Sequence, residues 1–255
     1  MTVYYIVAIG ILGLCWGSFI NVLGPRILHG RSLLTKRSMC PSCGHIIAWY
    51  DNIPLLSYFL LKARCRSCRQ PISWLYPFTE VITAACAMVL ATMVSDPFVY
   101  FCYALFLTGL IAATRTDLEL MLIPVVFSLG LVPVGFVAAW ADLLAISLTE
   151  SLVGAIAGYA VLWLVAKGFA ACTKREGLGV GDMDLLAGIG AWLGPVGIWL
   201  TLLIASCSGA LVGGVYLYAA GKERHMRLPF GPFLALGAAG YLFFGSYLLS
   251  LFFFP

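Results

Sequence analysis

Long apolar runs recur along the whole chain, and they constrain its fold more than any other feature. A run of about 20 apolar residues is long enough to cross the hydrocarbon core of a bilayer. Hydrophobic residues make up 62% of the chain and charged residues 10%, against about 45–50% and 25% in soluble domains. The expected fold class is therefore an all-α polytopic membrane protein. We predict about eight transmembrane helices, with the sixth one short, at residues 3–23, 78–94, 98–114, 122–140, 148–172, 185–193, 197–220 and 229–253.

Basic residues occur in clusters that an eight-span topology places on one side of the membrane, with the N-terminus on the other. The loops near residues 95–96, 141–147 and 194–195 carry no Lys or Arg. By the positive-inside rule, the basic side is predicted to be cytosolic. This topology accounts for the net charge of +4, so no nucleic-acid partner is expected. The basic residues are Arg26, Arg31, Lys36, Arg37, Lys62, Arg64, Arg66, Arg69, Arg115, Lys167, Lys174, Arg175, Lys222, Arg224 and Arg227.

One long polar stretch, 25–77, is predicted to form a small cytosolic domain. It separates a first transmembrane helix, 1–24, from a seven-helix membrane core, 78–255. The stretch holds two Cys-x-x-Cys pairs, Cys40 with Cys43 and Cys65 with Cys68. Each pair directs two thiolates at one point, and two pairs complete a tetrahedron around Zn²⁺. We therefore predict a zinc-ribbon-like domain with a closed, structural four-cysteine site.

Two disulfides or free thiols are the alternatives to zinc at these cysteines. A cytosolic domain disfavours disulfides, because thiols stay reduced there. His45 follows the first pair closely, but four cysteines are available, so we expect His45 beside the site or at the surface. The remaining cysteines lie in apolar runs and are assigned no function: Cys15, Cys86, Cys102, Cys172 and Cys207.

Carboxylates in or beside apolar runs are costly and therefore suggest function. Asp117 follows the third predicted span, and Asp182 opens the sixth after a turn that contains Gly179 and Gly181. The eight-span topology puts both carboxylates at the cytosolic boundary, where they can face each other. Five of the 11 acidic residues are candidates in this position: Glu80, Asp117, Glu119, Asp182 and Asp184.

Two carboxyl groups held close together share a proton. One can take a proton from an attacking water while the other polarises a peptide carbonyl, and neither is assigned a fixed role. No zinc-protease or serine-hydrolase motif occurs in the chain, so acid–base hydrolysis is the simplest catalytic option. The alternative is a charge pair that lines a transport path.

Three further acids leave alternatives open. Asp184 competes with Asp182 for the partner position, since residues two apart on a helix point about 200° apart. Glu119 competes with Asp117 in the same way. Glu80 is interpreted as an anchor, a partner for a basic loop residue, or a substrate contact.

An ordered series of motifs resembles the bacterial type IV prepilin peptidases along nearly the whole chain. Asp117 stands seven residues before Pro124, as the first catalytic Asp of that family stands before its Ile-Pro. The other motifs are Gly17-Ser-Phe-Ile-Asn-Val22, the two cysteine pairs, Trp49-Tyr-Asp-Asn-Ile-Pro-Leu-Leu-Ser-Tyr58, Tyr76-Pro-Phe-Thr-Glu80, Gly179-Val-Gly-Asp182 and Leu228-Pro-Phe-Gly-Pro-Phe233.

The resemblance implies an aspartic endopeptidase of the bacterial inner membrane with Asp117 and Asp182 as its catalytic pair. Its substrates would be type IV prepilins or the pseudopilins of type II secretion, cut after the Gly that ends a short basic leader, at the cytosolic face. The resemblance also implies N-methylation of the new N-terminus from S-adenosylmethionine, an activity associated with the cysteine-bearing loop. No donor-binding or substrate-binding residues are predicted.

Two positions depart from the family pattern. Val125 stands where the family often has Asp, and Asp184 stands where it commonly has Lys. The second departure reverses a charge near the site and leaves the preferred substrate charge open. A transporter with a zinc-ribbon regulatory loop and a non-catalytic assembly factor are the alternative functions; the assembly factor would tolerate loss of both catalytic acids.

Overall fold

The structure, a computed structural model, describes residues 3–28, 30, 38–174, 177–220 and 228–253. In this part of the chain no β-strand forms, so the prediction of an all-α protein is confirmed. Seven of the basic residues used for the topology, Arg31, Lys36, Arg37, Arg175, Lys222, Arg224 and Arg227, lie outside the described residues. The helices are α1 Val3–Leu28, α2 Leu56–Leu60, α3 Leu75–Met93, α4 Pro97–Leu120, α5 Leu131–Trp140, α6 Leu148–Thr173, α7 Val180–Ala220 and α8 Gly231–Phe253, with 3₁₀ turns at Trp49–Asn52 and Val125–Phe127.

Six of the described helices, α1, α3, α4, α6, α7 and α8, are long and apolar enough to cross a membrane. The chain is therefore a multi-pass membrane protein. The fourth predicted span, 122–140, is instead a 3₁₀ turn followed by α5, which has 10 residues. Pro124 contributes to the interruption before the 3₁₀ turn, because proline disfavours helical backbone in the residue before it.

Helix α7 contains a sharp bend at Gly194, where the backbone φ is 67°. Glycine adopts this left-handed conformation without steric cost. A Cβ added at Gly190 would lie 2.9 Å from Cδ1 of Ile198, although eight residues of straight helix span about 12 Å. The halves 180–193 and 195–220 of α7 therefore correspond to the sixth and seventh predicted spans.

The chain divides into two compact units, Met1–Arg115 and Thr116–Pro255. In the first unit α1 packs closely on α3. A Cβ added at Gly13 would lie 2.7 Å from Cα of Ala84, and one added at Gly17 would lie 2.7 Å from Cα of Glu80. Small residues at this spacing let two membrane helices bring their backbones together.

Buried Asn21 links three helices of the same unit. Its Nδ2 donates a hydrogen bond to the carbonyl oxygen of Tyr76, 3.1 Å away. Its Oδ1 accepts a hydrogen bond from Nε of Arg115 at 3.0 Å, and the Arg115 guanidinium lies 5.1 Å from the centre of the Tyr76 ring. These contacts hold the end of α1 against α3 and α4 where nonpolar packing alone would leave polar groups unpaired.

The second unit is built on α7, which packs against α5, α6 and α8. Ser151 of α6 donates a hydrogen bond to the carbonyl oxygen of Ala191 at 2.6 Å. Nε1 of Trp192 donates to the carbonyl oxygen of Leu131 at 2.9 Å. The largest fully buried apolar side chains of this unit all belong to α7 and α8: Trp192, Leu185, Leu186, Ile189, Leu200 and Leu234.

Gly158→Ala is expected to lower the free energy of unfolding by about 1–3 kcal/mol, because a Cβ at this position overpacks the contact between α6 and α7. It would meet the carbonyl oxygen of Leu186 and lie 2.9 Å from its carbonyl carbon. Gly168→Ala, in the same helix, is the matched control, since nothing lies within 4 Å of its added Cβ. Thermal unfolding of both variants in detergent measures the difference, and equal melting temperatures would contradict the packing described here.

Candidate active site and metal centre

Asp117 lies in the last turn of α4 with only 6% of its surface exposed. Its Oδ2 accepts a hydrogen bond from the backbone N–H of Gly231, 2.9 Å away. Gly231 is the first residue of α8, where the N–H groups have no partner inside the helix and carry a partial positive charge. A Cβ at this position would lie 2.8 Å from the same oxygen, so a glycine is needed for the contact. The sequence placed Gly231 in a motif but gave it no role.

Asp182 lies in the first turn of α7, directly after the predicted motif glycines. Its backbone N–H donates a hydrogen bond to the carbonyl oxygen of Gly179 at 3.2 Å, and a Cβ added at Gly179 would lie 3.5 Å from its Oδ2. A Cβ added at Gly181 would lie 3.2 Å from Cβ of Ile123. The two glycines thus leave room beside the carboxyl group and beside the Ile-Pro segment.

Ile123 lies near the glycine that precedes Asp182 and near the glycine that binds Asp117. Besides its approach to Gly181, its Cδ1 lies 3.1 Å from the position of a Cβ added at Gly231. The Asp117 carboxylate also acts electrostatically on Asp182. The structure therefore brings together the two acids that the sequence singled out, although residues 118–181 separate them along the chain. Their catalytic role stays a prediction.

The two competing acids differ from this pair in their surroundings. Glu119 is exposed, whereas Asp117 is buried. Asp184 is half-buried and lies two residues further along α7. Since residues two apart on a helix point to different sides, the side chain of Asp184 cannot share the position of Asp182.

The four predicted metal ligands converge on one point. The sulfur atoms of Cys40, Cys43, Cys65 and Cys68 all lie within 4.8 Å of one another, and Sγ of Cys40 lies 3.8 Å from Sγ of Cys68. Tetrahedral Zn²⁺ with Zn–S bonds of about 2.3 Å places its sulfurs about 3.8 Å apart. The cluster fits a metal ion of this kind. His45 is not part of it.

Each cysteine pair is closed by the same backbone pattern. Isolated β-bridges join Met39 to Ile46 in the first pair and Arg64 to Pro71 in the second. The N–H of the first cysteine donates to the carbonyl oxygen five residues later in both cases, Cys40 to His45 and Cys65 to Gln70, each at 2.9 Å. These two matching hydrogen-bonded turns present all four thiols.

Like charges repel, so four clustered thiolates are unfavourable without a cation between them. Burial raises the pKa of Cys40, but backbone N–H groups of Cys43 and Ser42 and neighbouring thiols together lower it, to about 6. The N–H of Gln70 lowers the pKa of Cys68, but burial and the other three thiols raise it by more, and the net result is a pKa of about 11. A bound metal ion removes this conflict because it favours all four thiolates at once.

The domain around these cysteines has almost no core of its own. Between residues 38 and 74, only Cys40 and Ser57 are buried. One ion pair braces the domain: Nε and Nη2 of Arg66 donate to the Asp51 carboxylate at 2.7 and 2.6 Å, which lowers the pKa of Asp51. A domain this small without a core needs a metal or another crosslink for stability.

Glu80 binds the backbone of residues 38–74, which we call the cysteine-bearing domain. Its Oε2 accepts a hydrogen bond from the N–H of Leu55 at 2.8 Å, and Leu55 has a positive φ of 58°. Of the three interpretations left open for Glu80, this contact supports the anchor. The partner was not predictable, because a backbone N–H carries no sequence signal.

Glu80→Ala is expected to release Leu55, since it leaves the half-buried N–H of Leu55 without its acceptor at a cost of about 1 kcal/mol. Hydrogen exchange should then become faster at the Leu55 amide and its neighbours. Glu80→Gln keeps an acceptor in the same place and serves as the control. Unchanged exchange in Glu80→Ala would show that the contact does not hold the domain.

Two family models match this chain. The bacterial peptidase A24 N-terminal domain matches residues 11–94, and the type IV leader peptidase family matches residues 104–214. A prepilin leader peptidase/N-methyltransferase of Burkholderia pseudomallei is 36% identical over 262 residues, covering 92% of this chain and 84% of the relative. The chain belongs to the type IV leader peptidase family.

Two further relatives match this chain over a similar share of both sequences. A prepilin leader peptidase/N-methyltransferase of Pseudomonas aeruginosa is 35% identical, covering 89% of this chain and 86% of the relative. A type 4 prepilin-like proteins leader peptide-processing enzyme of Escherichia coli is 37% identical, covering 88% of both chains. No solved structure matches this chain.

Proposed function

We propose that this chain is an endopeptidase that removes the leader from type IV prepilins or from the pseudopilins of type II secretion, cutting after a Gly. The observation that carries the proposal is the meeting of Asp117 and Asp182 at the ends of two apolar helices. Family membership and the names of the relatives support the same activity.

The two aspartates can perform hydrolysis as a coupled pair. One carboxylate takes a proton from water, and the water attacks the carbonyl carbon of the scissile peptide. The other carboxyl group donates a hydrogen bond to the carbonyl oxygen and later helps to protonate the leaving amine. The N–H of Gly231 keeps the Asp117 carboxylate oriented throughout. Two carboxyl groups that share a proton titrate as a unit, so neither role is assigned to a particular aspartate.

A second activity, N-methylation of the new N-terminal residue, is part of this proposal. Relatives are named as N-methyltransferases as well as peptidases. S-adenosylmethionine would supply the methyl group when bound, and no residue of this chain is assigned to it. In the cysteine-bearing domain, Cys40, Cys43, Cys65 and Cys68 would hold Zn²⁺, whose chemistry there is structural because four ligands close its coordination sphere.

The proposed location is the bacterial inner membrane, with the N-terminus outside and with the active site and the cysteine-bearing domain at the cytosolic face. Described basic residues at helix ends and in the loop, among them Arg26, Lys62, Arg64 and Lys174, favour this orientation by the positive-inside rule. The oligomeric state is left open.

The test is co-expression of the full chain with a prepilin-type substrate, with the product read by mass and N-terminal sequence. We expect loss of the leader after its Gly, and an added methyl group if the second activity is present. A chain with both Asp117→Asn and Asp182→Asn is the control and should leave the substrate intact. If well-folded wild type cleaves none of several such substrates, the proposal fails and a non-catalytic assembly role gains support.

A further inference from the structure

A basic cavity lies on the surface of the cysteine-bearing domain, outside the proposed active site. The cavity has a volume of about 720 Å³. It is lined by two leucines and four cationic side chains, with no acidic residue among them: Leu60, Leu61, Lys62, Arg64, Arg66 and Arg69. Neither the metal ligands nor the two aspartates take part in it.

Three of these cations are exposed and lack an ion-pair partner among the described residues. Arg66 is held by Asp51, whereas Lys62, Arg64 and Arg69 make no salt bridge with any carboxylate in the described ranges. Such a concentration of positive charge on a short turn is unfavourable by itself, because like charges repel each other. An anionic partner removes that cost.

Exposed apolar side chains occur in the same small domain as these cations. Leu60 lines the cavity and is 72% exposed, and Phe59 next to it is 70% exposed. Trp74, immediately before α3, is 62% exposed. Exposed aromatic and aliphatic groups next to Lys and Arg are typical of segments that lie at a membrane surface, where rings reach the headgroup region and cations meet phosphates.

The domain is also held next to the bilayer. It is bounded by α1 and α3, which are both long enough to span the membrane. The hydrogen bond from Leu55 to Glu80 ties it to the second turn of α3, five residues into that helix. A cationic turn tethered to two membrane-spanning helices in this way loses little translational freedom when it docks on the adjacent leaflet.

We propose that this cavity binds the headgroups of anionic phospholipids, so that the cysteine-bearing domain docks on the leaflet beside it. Lys62, Arg64 and Arg69 contact the phosphates, and Leu60 with Phe59 enters the headgroup layer. Each cation at an anionic surface strengthens docking by about fivefold. The three together contribute up to about 10²-fold.

Hydrogen exchange of the full chain in nanodiscs tests the proposal. One set of discs contains phosphatidylcholine alone, and the other contains phosphatidylcholine and phosphatidylglycerol in equal parts. We expect amides of residues 56–70 to exchange more slowly in the anionic discs, and high salt to abolish the difference because it screens exposed charges. The readout does not involve cleavage, so it stands or falls separately from the proposed function.

Two variants make the test specific. The triple variant Lys62→Gln, Arg64→Gln and Arg69→Gln should lose the lipid effect while it keeps the wild-type melting temperature. Lys167→Gln combined with Lys174→Gln removes two cations from a different helix end and should retain the effect. Equal exchange in both lipids would overturn the proposal, and so would equal loss of the lipid effect in both variants. Protection that depends on neither lipid nor salt would also overturn it, because protein rather than lipid would then cover this surface.

Discussion

Asp182→Asn and Asp117→Asn are each expected to lower the rate of leader cleavage by about 10²–10⁴-fold, the contribution of a general acid or base. Asparagine has nearly the same shape as aspartate but neither gives nor takes a proton in the relevant pH range. In the proposed mechanism the two carboxyl groups share a proton, so losing either one removes that proton as well as one of the two proposed catalytic groups. Cleavage of a prepilin-type substrate, followed by mass spectrometry over time, gives the rates.

Asp184→Asn and Glu119→Gln are the matched controls. Each makes the same chemical change two residues from a member of the pair, on a side chain that is half-buried or exposed. Both variants should keep most of the wild-type rate. If Asp182→Asn cleaves as fast as Asp184→Asn, the pair is not catalytic. A large loss in Asp184→Asn alone would assign the second acid to that position instead.

Cys40→Ser is expected to unfold the cysteine-bearing domain and to reduce bound zinc to background. Structural zinc contributes about 10–16 kcal/mol to such sites, whereas only Cys40 and Ser57 are buried between residues 38 and 74. Protection of amides in this range should therefore fall by at least about 10³-fold. Hydrogen exchange and elemental analysis of the purified protein measure the two effects, and a strong chelator should reproduce them in wild type.

Cys172→Ser serves as the control for this variant. Cys172 is exposed on α6 and does not belong to the sulfur cluster, so zinc content and protection should both match wild type. Amides between 38 and 74 should then be the only ones that differ between the two variants. A folded domain in zinc-free Cys40→Ser would show that the backbone turns hold without metal.

The apolar runs predicted where helices form, because a bilayer requires long apolar segments whatever the tertiary contacts. They did not predict the interruption of the fourth span. Residues 122–140 are apolar enough for one span, yet Pro124 and the 3₁₀ turn after it leave only the 10 residues of α5 as helix. The boundary near Gly194 is the contrasting case, since the non-helical backbone there separates the sixth and seventh predicted spans.

The meeting of the two aspartates and the clustering of the four cysteines were predictable because the chemistry of these residues limits the roles they can have. Charged groups at the ends of spans and two Cys-x-x-Cys pairs have few structural explanations. The contacts that orient Asp117 and Glu80 were not predictable, because both are made by backbone N–H groups. Gly231 supplies one to Asp117 and Leu55 supplies one to Glu80. Every residue except proline offers such a donor, so only the folded chain selects among them.

The bond from Gly231 to Asp117 makes the two oxygens of one carboxyl group unequal. In solution they interchange by rotation about the Cβ–Cγ bond. Here Oδ2 is fixed to the start of α8, which leaves Oδ1 as the oxygen without that main-chain tether. A substrate or water that meets Asp117 therefore meets one defined face of the group. Any motion of α8 would reorient that face, so the geometry of the reacting atoms is tied to the position of the last helix.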